Sequence, residues 1–211
     1  MKHVTHWSSR SSRLALVAAC ASLVLAGIAV QCSGPAAAED TSTPEHASIS
    51  EAEGLRAWDV VYSVLQHPRC LNCHPAGDRP LVGDYRGPHP QNVQRGPDGK
   101  GLFAMKCTAC HSDANTPGAH MPPGAPNWHL PKPEMPLVFE GKSRGELCRQ
   151  MRDSKSNGGK THAELVEHMA HDPLVLWGWN PGESRVAVST PHAVFAEAAR
   201  TWAASGCACP D

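Results

Sequence analysis

Two short motifs with the same spacing carry the residues best suited to chemistry. Each has two cysteines three positions apart and a histidine directly after the second one. The first motif is Cys70, Cys73 and His74, and the second is Cys107, Cys110 and His111. This C-x-x-C-H pattern is the attachment site of c-type haem. Its thiols reach the two vinyl groups on one haem edge, and the histidine binds the iron from the proximal face. The sequence therefore predicts two covalently attached haem c groups.

Two other arrangements use the same cysteines. Two C-x-x-C pairs can form a Cys₄ zinc site, and cysteines of secreted chains can form a disulfide framework. A histidine follows both pairs, and a leader described below indicates export. Both features favour haem over zinc or disulfides.

The residue opposite each proximal histidine decides what the iron does. A methionine raises the reduction potential, a second histidine gives a lower one, and an open position permits ligand binding. The leading candidates are Met121, His129, His89 and His168, ranked above Met135. Four other histidines rank lower because they lie in the linker, at a helix end or on the surface. They are His46, His67, His162 and His192.

The N-terminal 38 residues have the pattern of a secretory signal peptide. Lys2, Arg10 and Arg13 precede an uncharged apolar run, and small residues at 36–38 predict cleavage before Glu39. We therefore expect a periplasmic location. A lipoprotein box ending at Cys20 and an uncleaved membrane anchor stay open as alternatives, and no other segment has the pattern of a membrane span.

The composition explains why cofactors are expected in the core. The 211 residues are 41% hydrophobic and only 5% aromatic, and they include 18 Gly and 19 Pro. Such a loop-rich chain buries little side-chain surface, so two apolar macrocycles would supply core that it lacks. The formal net charge of −1 argues against nucleic acid as a partner.

The mature chain is predicted to be all-α, with about five short helices and long Pro- and Gly-rich loops wrapping the haems. Residues 39–49 are a linker, and 50–211 form one dihaem cytochrome c-like domain. Three capping boxes open helices at Ser50, Ser143 and Thr161. Further helices are expected at 101–110 and, with Thr190 as N-cap, from Pro191 to Gly206. Loops are expected at 75–100 and 112–142.

Three cysteines lie outside the motifs. In an oxidising compartment Cys148 should pair with Cys207 or Cys209, and Cys209 is preferred. A Cys207–Cys209 bridge would close a very short loop and is the remaining alternative.

Several runs resemble a family of small bacterial dihaem proteins often labelled isoquinoline 1-oxidoreductase subunit. They are the segment 69–75, the segment 91–96, the His-Met-Pro-Pro-Gly run within 120–129, and the segment 172–179. The similarity covers nearly all of 51–211. Members of the family commonly end in a single Cys-Pro, which Cys209 and Pro210 match, so the resemblance favours a bridge from Cys148 to Cys209. Leu102 and Phe103 before Cys107 also resemble, over a shorter stretch, the first helix of small cytochromes c.

The resemblance implies a periplasmic electron-transfer partner of a molybdenum hydroxylase. We therefore expect a dihaem carrier that passes electrons between redox proteins, as accessory subunit or acceptor of a dehydrogenase, rather than a catalyst in its own right. A dihaem peroxidase and a haem-based sensor, each with one open iron site, are the alternatives.

Overall fold

The computed structural model describes residues 48–182 and 184–211. The predicted signal peptide at 1–38 and most of the predicted linker at 39–49 lie outside these ranges. Among the residues that the structure describes, no helix is both long enough and apolar enough to cross a membrane.

Six α-helices and two small hairpins make up the regular structure of the described ranges. The helices are α1 (Glu51–Leu65), α2 (Pro68–Leu71), α3 (Arg144–Arg152), α4 (His162–His171), α5 (Pro173–Leu176) and α6 (His192–Ala204). The antiparallel hairpins pair β1 (Leu81–Val82) with β2 (Gly87–Pro88), and β3 (Gly101–Leu102) with β4 (Met105–Lys106). Short 3-10 turns lie at Pro90–Asn92, Cys107–Ala109 and Trp177–Trp179.

The three predicted capping boxes are confirmed. The side chains of Ser50, Ser143 and Thr161 accept hydrogen bonds from the backbone three residues later, and a glutamate at that position bonds back to the cap. Each box satisfies donors that a helix N-terminus otherwise leaves unpaired. Local sequence therefore fixes where α1, α3 and α4 begin.

The helix predicted at 101–110 is wrong, because this segment forms the β3–β4 hairpin and a 3-10 turn. Gly101 has a φ of 89°, and a Cβ there would lie 2.4 Å from the carbonyl oxygen of Met105. Only glycine allows this close turn. The likeness of Leu102 and Phe103 to a cytochrome helix is therefore not reflected in the local structure.

Two short helices and one helix start also differ from the prediction. His67 and Asp172 each cap an additional four-residue helix, with proline in its first turn, just after α1 and α4. The last helix begins at His192 with Pro191 as its N-cap, so Thr190 is not the cap. The Thr190 carbonyl instead accepts a hydrogen bond from Trp179 Nε1 at 2.7 Å.

The side-chain core lies between α1 and α6, with α3 and α4 against them. Trp58 of α1 and Trp202 of α6 are fully buried, with ring centres 4.9 Å apart. Gly54 permits the close approach, because a Cβ there would lie 1.9 Å from Ser205 Oγ. The preferred disulfide is confirmed, since Cys148 on α3 is bonded to Cys209. The helices therefore form a larger side-chain core than the composition of the chain predicts.

Candidate haem-attachment sites

The first motif lies on α2 and the turn that follows it. His67 caps this helix by accepting a hydrogen bond from the backbone N–H of Arg69. The backbone N–H groups of Cys73 and His74 both donate to the Cys70 carbonyl at 3.1 Å. One helical turn therefore presents both thiols and the imidazole together, and both thiols are free.

The His74 side chain is held by two contacts from the loop before α3. Its Nδ1 lies 2.7 Å from the carbonyl oxygen of Leu137, and its ring stacks on Phe139 with centres 3.8 Å apart and planes at 7°. A histidine that binds a metal almost always donates its second ring N–H to such an acceptor. Nε2 is thereby left as the ring nitrogen with a free lone pair.

Burial keeps this imidazole uncharged. Desolvation lowers the pKa of His74 to about 4, against a smaller raising effect of the hydrogen bond to Leu137. At neutral pH the ring is therefore a neutral donor, which is the form that ligates metals.

A cavity of about 420 Å³, here called the first cavity, opens beside this motif. Cys70, Cys73 and His74 form part of its wall. The rest is mainly apolar and includes Val64, Leu137, Phe139, Met169, Trp177 and Phe195. A largely apolar pocket with a few convergent donors is the usual form of a cofactor site.

Three predicted distal ligands line the first cavity together with His74. They are His129, His168 and Met135. His168 lies on α4, and its Nδ1 is 3.1 Å from the Asp172 carboxylate. His129 lies in a loop, with Nδ1 at 2.5 Å from the Asn127 carbonyl. The structure therefore brings candidates from both a helix and a loop to one site.

The second motif begins with the 3-10 turn at 107–109. The His111 backbone N–H donates to the Cys107 carbonyl at 2.9 Å, and the thiols of Cys107 and Cys110 are free. His111 Nδ1 lies 2.7 Å from the carbonyl oxygen of Pro123. Its ring stacks on Trp128, with centres 4.5 Å apart and planes at 4°. His74 and His111 are therefore held in the same way by unrelated segments.

The two candidates nearest the second motif differ in their placement. The His89 ring centre lies 6.2 Å from that of His111. Met121 is 40% exposed, its carbonyl accepts a hydrogen bond from Arg185, and it does not line the first cavity. The structure thus brings the imidazole of His89 close to the imidazole of the second motif.

The hydrogen bonds of the histidines separate the ranked candidates from two of the lower-ranked ones. Nδ1 is the bonded nitrogen in His74, His111, His89, His129 and His168. In His162 and His192 it is Nε2 that lies against a backbone carbonyl, of Arg152 and Met169 respectively. A ring bonded through Nδ1 keeps Nε2 for a metal, and the lower-ranked His67 shares this pattern, because its Nδ1 accepts from the backbone N–H of Arg69.

The zinc and disulfide alternatives gain no support from the described residues. The four motif thiols form no disulfide there, and no three His, Cys, Asp or Glu side chains come together as a metal-binding group. Burial raises the pKa of Cys70 to about 12 and that of Cys73 to about 11. Burial therefore favours the thiol form of both sulfurs.

The surroundings of both motifs fit haem. Arg69 is buried beside the first cavity, and its Nε has no hydrogen-bond acceptor among the described residues, which suits an occupant that carries acceptor atoms. Near the second motif, apolar side chains on the β3–β4 hairpin are exposed, and Phe103 is 97% exposed. Neighbouring exposed apolar side chains of this kind can mark a binding surface.

Asn115 and two tryptophans connect the two motifs. The Asn115 side-chain oxygen accepts from Trp177 Nε1 at 2.9 Å and from the backbone N–H of Gly124 at 3.1 Å. Trp128 meets Trp177 edge-on, with ring centres 5.0 Å apart. Trp177 lines the first cavity, while Trp128 stacks on His111, so the second motif is packed against the first site.

Sequence reasoning missed the residues that orient the two proximal histidines. They are Leu137, Phe139, Pro123 and Trp128. Backbone carbonyls have no sequence pattern, but Trp128 lies beside a ranked candidate, His129.

No protein-family model matches the chain, and comparisons with curated proteins and with solved structures gave no match either.

Proposed function

We propose that the chain is a dihaem c-type cytochrome that carries electrons in the periplasm. Cys70, Cys73 and His74 would hold one haem, and the equivalent residues at 107–111 would hold the other. One observation carries the proposal. At both motifs two free thiols precede a histidine whose Nδ1 is bonded to a backbone carbonyl and whose Nε2 is free.

Haem, when bound, supplies a one-electron Fe(III)/Fe(II) couple. The protein's own residues hold and tune it. The carbonyls of Leu137 and Pro123 fix the tautomer and the ring orientation of the proximal histidines, and they raise the basicity of each ligand. The apolar wall of the first cavity limits water access, which is a main determinant of the reduction potential.

Electron transfer is favoured over catalysis at an open iron. A histidine with a free Nε2 lies near each proximal histidine, namely His89 near His111, and His168 and His129 in the first cavity with His74. Irons with six ligands exchange electrons without binding a substrate. The role therefore requires protein partners, and we propose a dehydrogenase of the molybdenum hydroxylase type as donor and another cytochrome as acceptor.

The test is a redox titration of the full chain, produced in a bacterial host that matures c-type cytochromes and monitored by visible spectroscopy. We expect two haems per chain, reversible reduction of both, and no rapid binding of CO by the reduced protein. A double variant, Cys107→Ala with Cys110→Ala, is the matched control and should titrate as one haem. Rapid CO binding or turnover of peroxide would contradict the carrier and favour a peroxidase or sensor.

A further inference from the structure

The two imidazoles at the second site have the separation expected of a ligand pair. His89 and His111 have ring centres 6.2 Å apart, with planes at 66°. Nδ1 of His89 lies 2.8 Å from the Pro90 carbonyl, and Nδ1 of His111 lies 2.7 Å from the Pro123 carbonyl. Each ring therefore keeps Nε2 as its free nitrogen.

This separation matches two imidazoles on opposite sides of one metal ion. A metal–imidazole bond is about 2 Å long, so two such bonds plus the distance from each nitrogen to its ring centre amount to about 6 Å. From this geometry we propose that His89 is the second axial ligand of the iron held by His111. The inference rests on the proposed function and adds the ligand set of the second haem.

The backbone of His89 is fixed from both sides. Its N–H donates to the Pro80 carbonyl at 2.9 Å, and its carbonyl accepts from Arg79 Nε at 3.0 Å and Nη2 at 2.6 Å. Gln91 and Asn92 then take positive φ values of 58° and 51°, which turn the chain sharply after the histidine. Arg79 is thus a positioning residue, because it holds the loop that presents the ring.

The competing candidate, Met121, lies on the same side of His111 as Nδ1, which is the ring nitrogen remote from the metal. Met121 is two residues before Pro123, whose carbonyl oxygen is hydrogen-bonded to this nitrogen. Its own carbonyl is held by Arg185 Nη2 at 2.6 Å. Two residues span at most about 7 Å, so Met121 would have to leave this position and pass round the haem edge to reach the opposite face.

A histidine pair gives a lower reduction potential than a histidine–methionine pair. We therefore expect the second haem to lie at the low-potential end for such proteins. Replacing His89 with methionine should raise its potential.

The test compares wild type, His89→Ala, His89→Met and Met121→Leu by electron paramagnetic resonance and near-infrared magnetic circular dichroism of the oxidised proteins. We expect His89→Ala to convert half of the iron to the high-spin form, and His89→Met to add a methionine–iron charge-transfer band. Met121→Leu should match wild type. Arg79→Lys should give a mixture of wild-type and high-spin iron.

The proposal is overturned if Met121→Leu removes a methionine band present in wild type, or if His89→Ala leaves the spectra unchanged. The wild-type and Met121→Leu spectra decide the question even if the His89 variants do not fold. Covalent haem is counted in every sample. Two haems with unchanged ligation in His89→Ala would refute this inference alone, whereas no haem in wild type would refute the proposed function.

Discussion

Trp128 lies flat against His111, with ring centres 4.5 Å apart, and its edge meets Trp177 at 5.0 Å. Since Trp177 lines the first cavity, one aromatic ring contacts both His111 of the second motif and the wall of the first site. The two motifs therefore belong to a single packed unit rather than to two independent modules.

Removing this ring should destabilise the protein. An aromatic pair contributes about 0.5–1.5 kcal/mol beyond the area it buries, and Trp128 takes part in two pairs. We expect Trp128→Leu to lower the free energy of unfolding by about 1–3 kcal/mol, measured by denaturant titration of the haem-loaded protein. Tyr85→Leu is the control, because Tyr85 is 81% exposed and should cost less than about 0.5 kcal/mol. Equal effects would contradict the structural role of Trp128.

We expect His168 to be the distal ligand in the first cavity. It lies on the rigid helix α4, and the Asp172 carboxylate orients its Nδ1, whereas His129 lies in a loop. His168→Ala should therefore produce high-spin iron at one of the two haems in electron paramagnetic resonance, and His129→Ala should not. The opposite result would assign the ligand to His129, and no change in either variant would point to Met135.

The disulfide should stabilise the chain by constraining its unfolded state. Cys148 and Cys209 are 61 residues apart, and bridges that close loops of this size are typically worth about 2–4 kcal/mol. We expect the double variant Cys148→Ala with Cys209→Ala to lose about this much in denaturant unfolding.

The matched control for the disulfide is Cys207→Ala, which removes a buried free thiol. Non-reducing peptide mapping of this variant should still recover the peptides of Cys148 and Cys209 joined. Recovery of Cys148 and Cys209 as free thiols in Cys207→Ala would contradict the bridge seen in the structure.

The capping boxes predict a pH dependence of stability. Hydroxyl and backbone hydrogen bonds from the cap serines lower the pKa values of Glu53 and Glu146 below the usual 4.5. A carboxylate with a lowered folded-state pKa contributes fully above its unfolded pKa, and it loses this contribution as the pH falls through the folded value. Glu53→Gln with Glu146→Gln should therefore weaken the acid dependence of the denaturant midpoint below pH 4.5. Glu134→Gln, at an exposed loop position, is the control, and an equal change there would contradict the prediction.

Local patterns predicted the helices that open with capping boxes better than they predicted the short hairpins. The helix starts at Glu51, Arg144 and His162 follow from capping boxes, which are encoded within four residues. The β3–β4 hairpin was missed because strands of two residues are too short to show alternating polar and apolar residues. Its geometry also depends on Gly101, which lies close to the backbone four residues away.

The site divides in the same way. The C-x-x-C-H motifs can be recognised in the sequence because one turn of the chain contains both thiols and the imidazole. The carbonyl that orients His74 belongs to Leu137, 63 residues further along, and only the fold brings the two together. The proximity of His89 to His111 is likewise tertiary, so the sequence could rank His89 as a candidate ligand but could not place it beside either motif.

Covalent attachment of haem at both motifs can be tested by measuring the intact mass of the purified protein. The chain would be produced in a host that matures c-type cytochromes, purified under denaturing conditions, and measured together with its pyridine haemochrome spectrum. We expect the mass of the polypeptide plus two haems, and plus one haem when Cys70 and Cys73 are both replaced with alanine. The mass of the bare polypeptide, or of a zinc complex under native conditions, would contradict it.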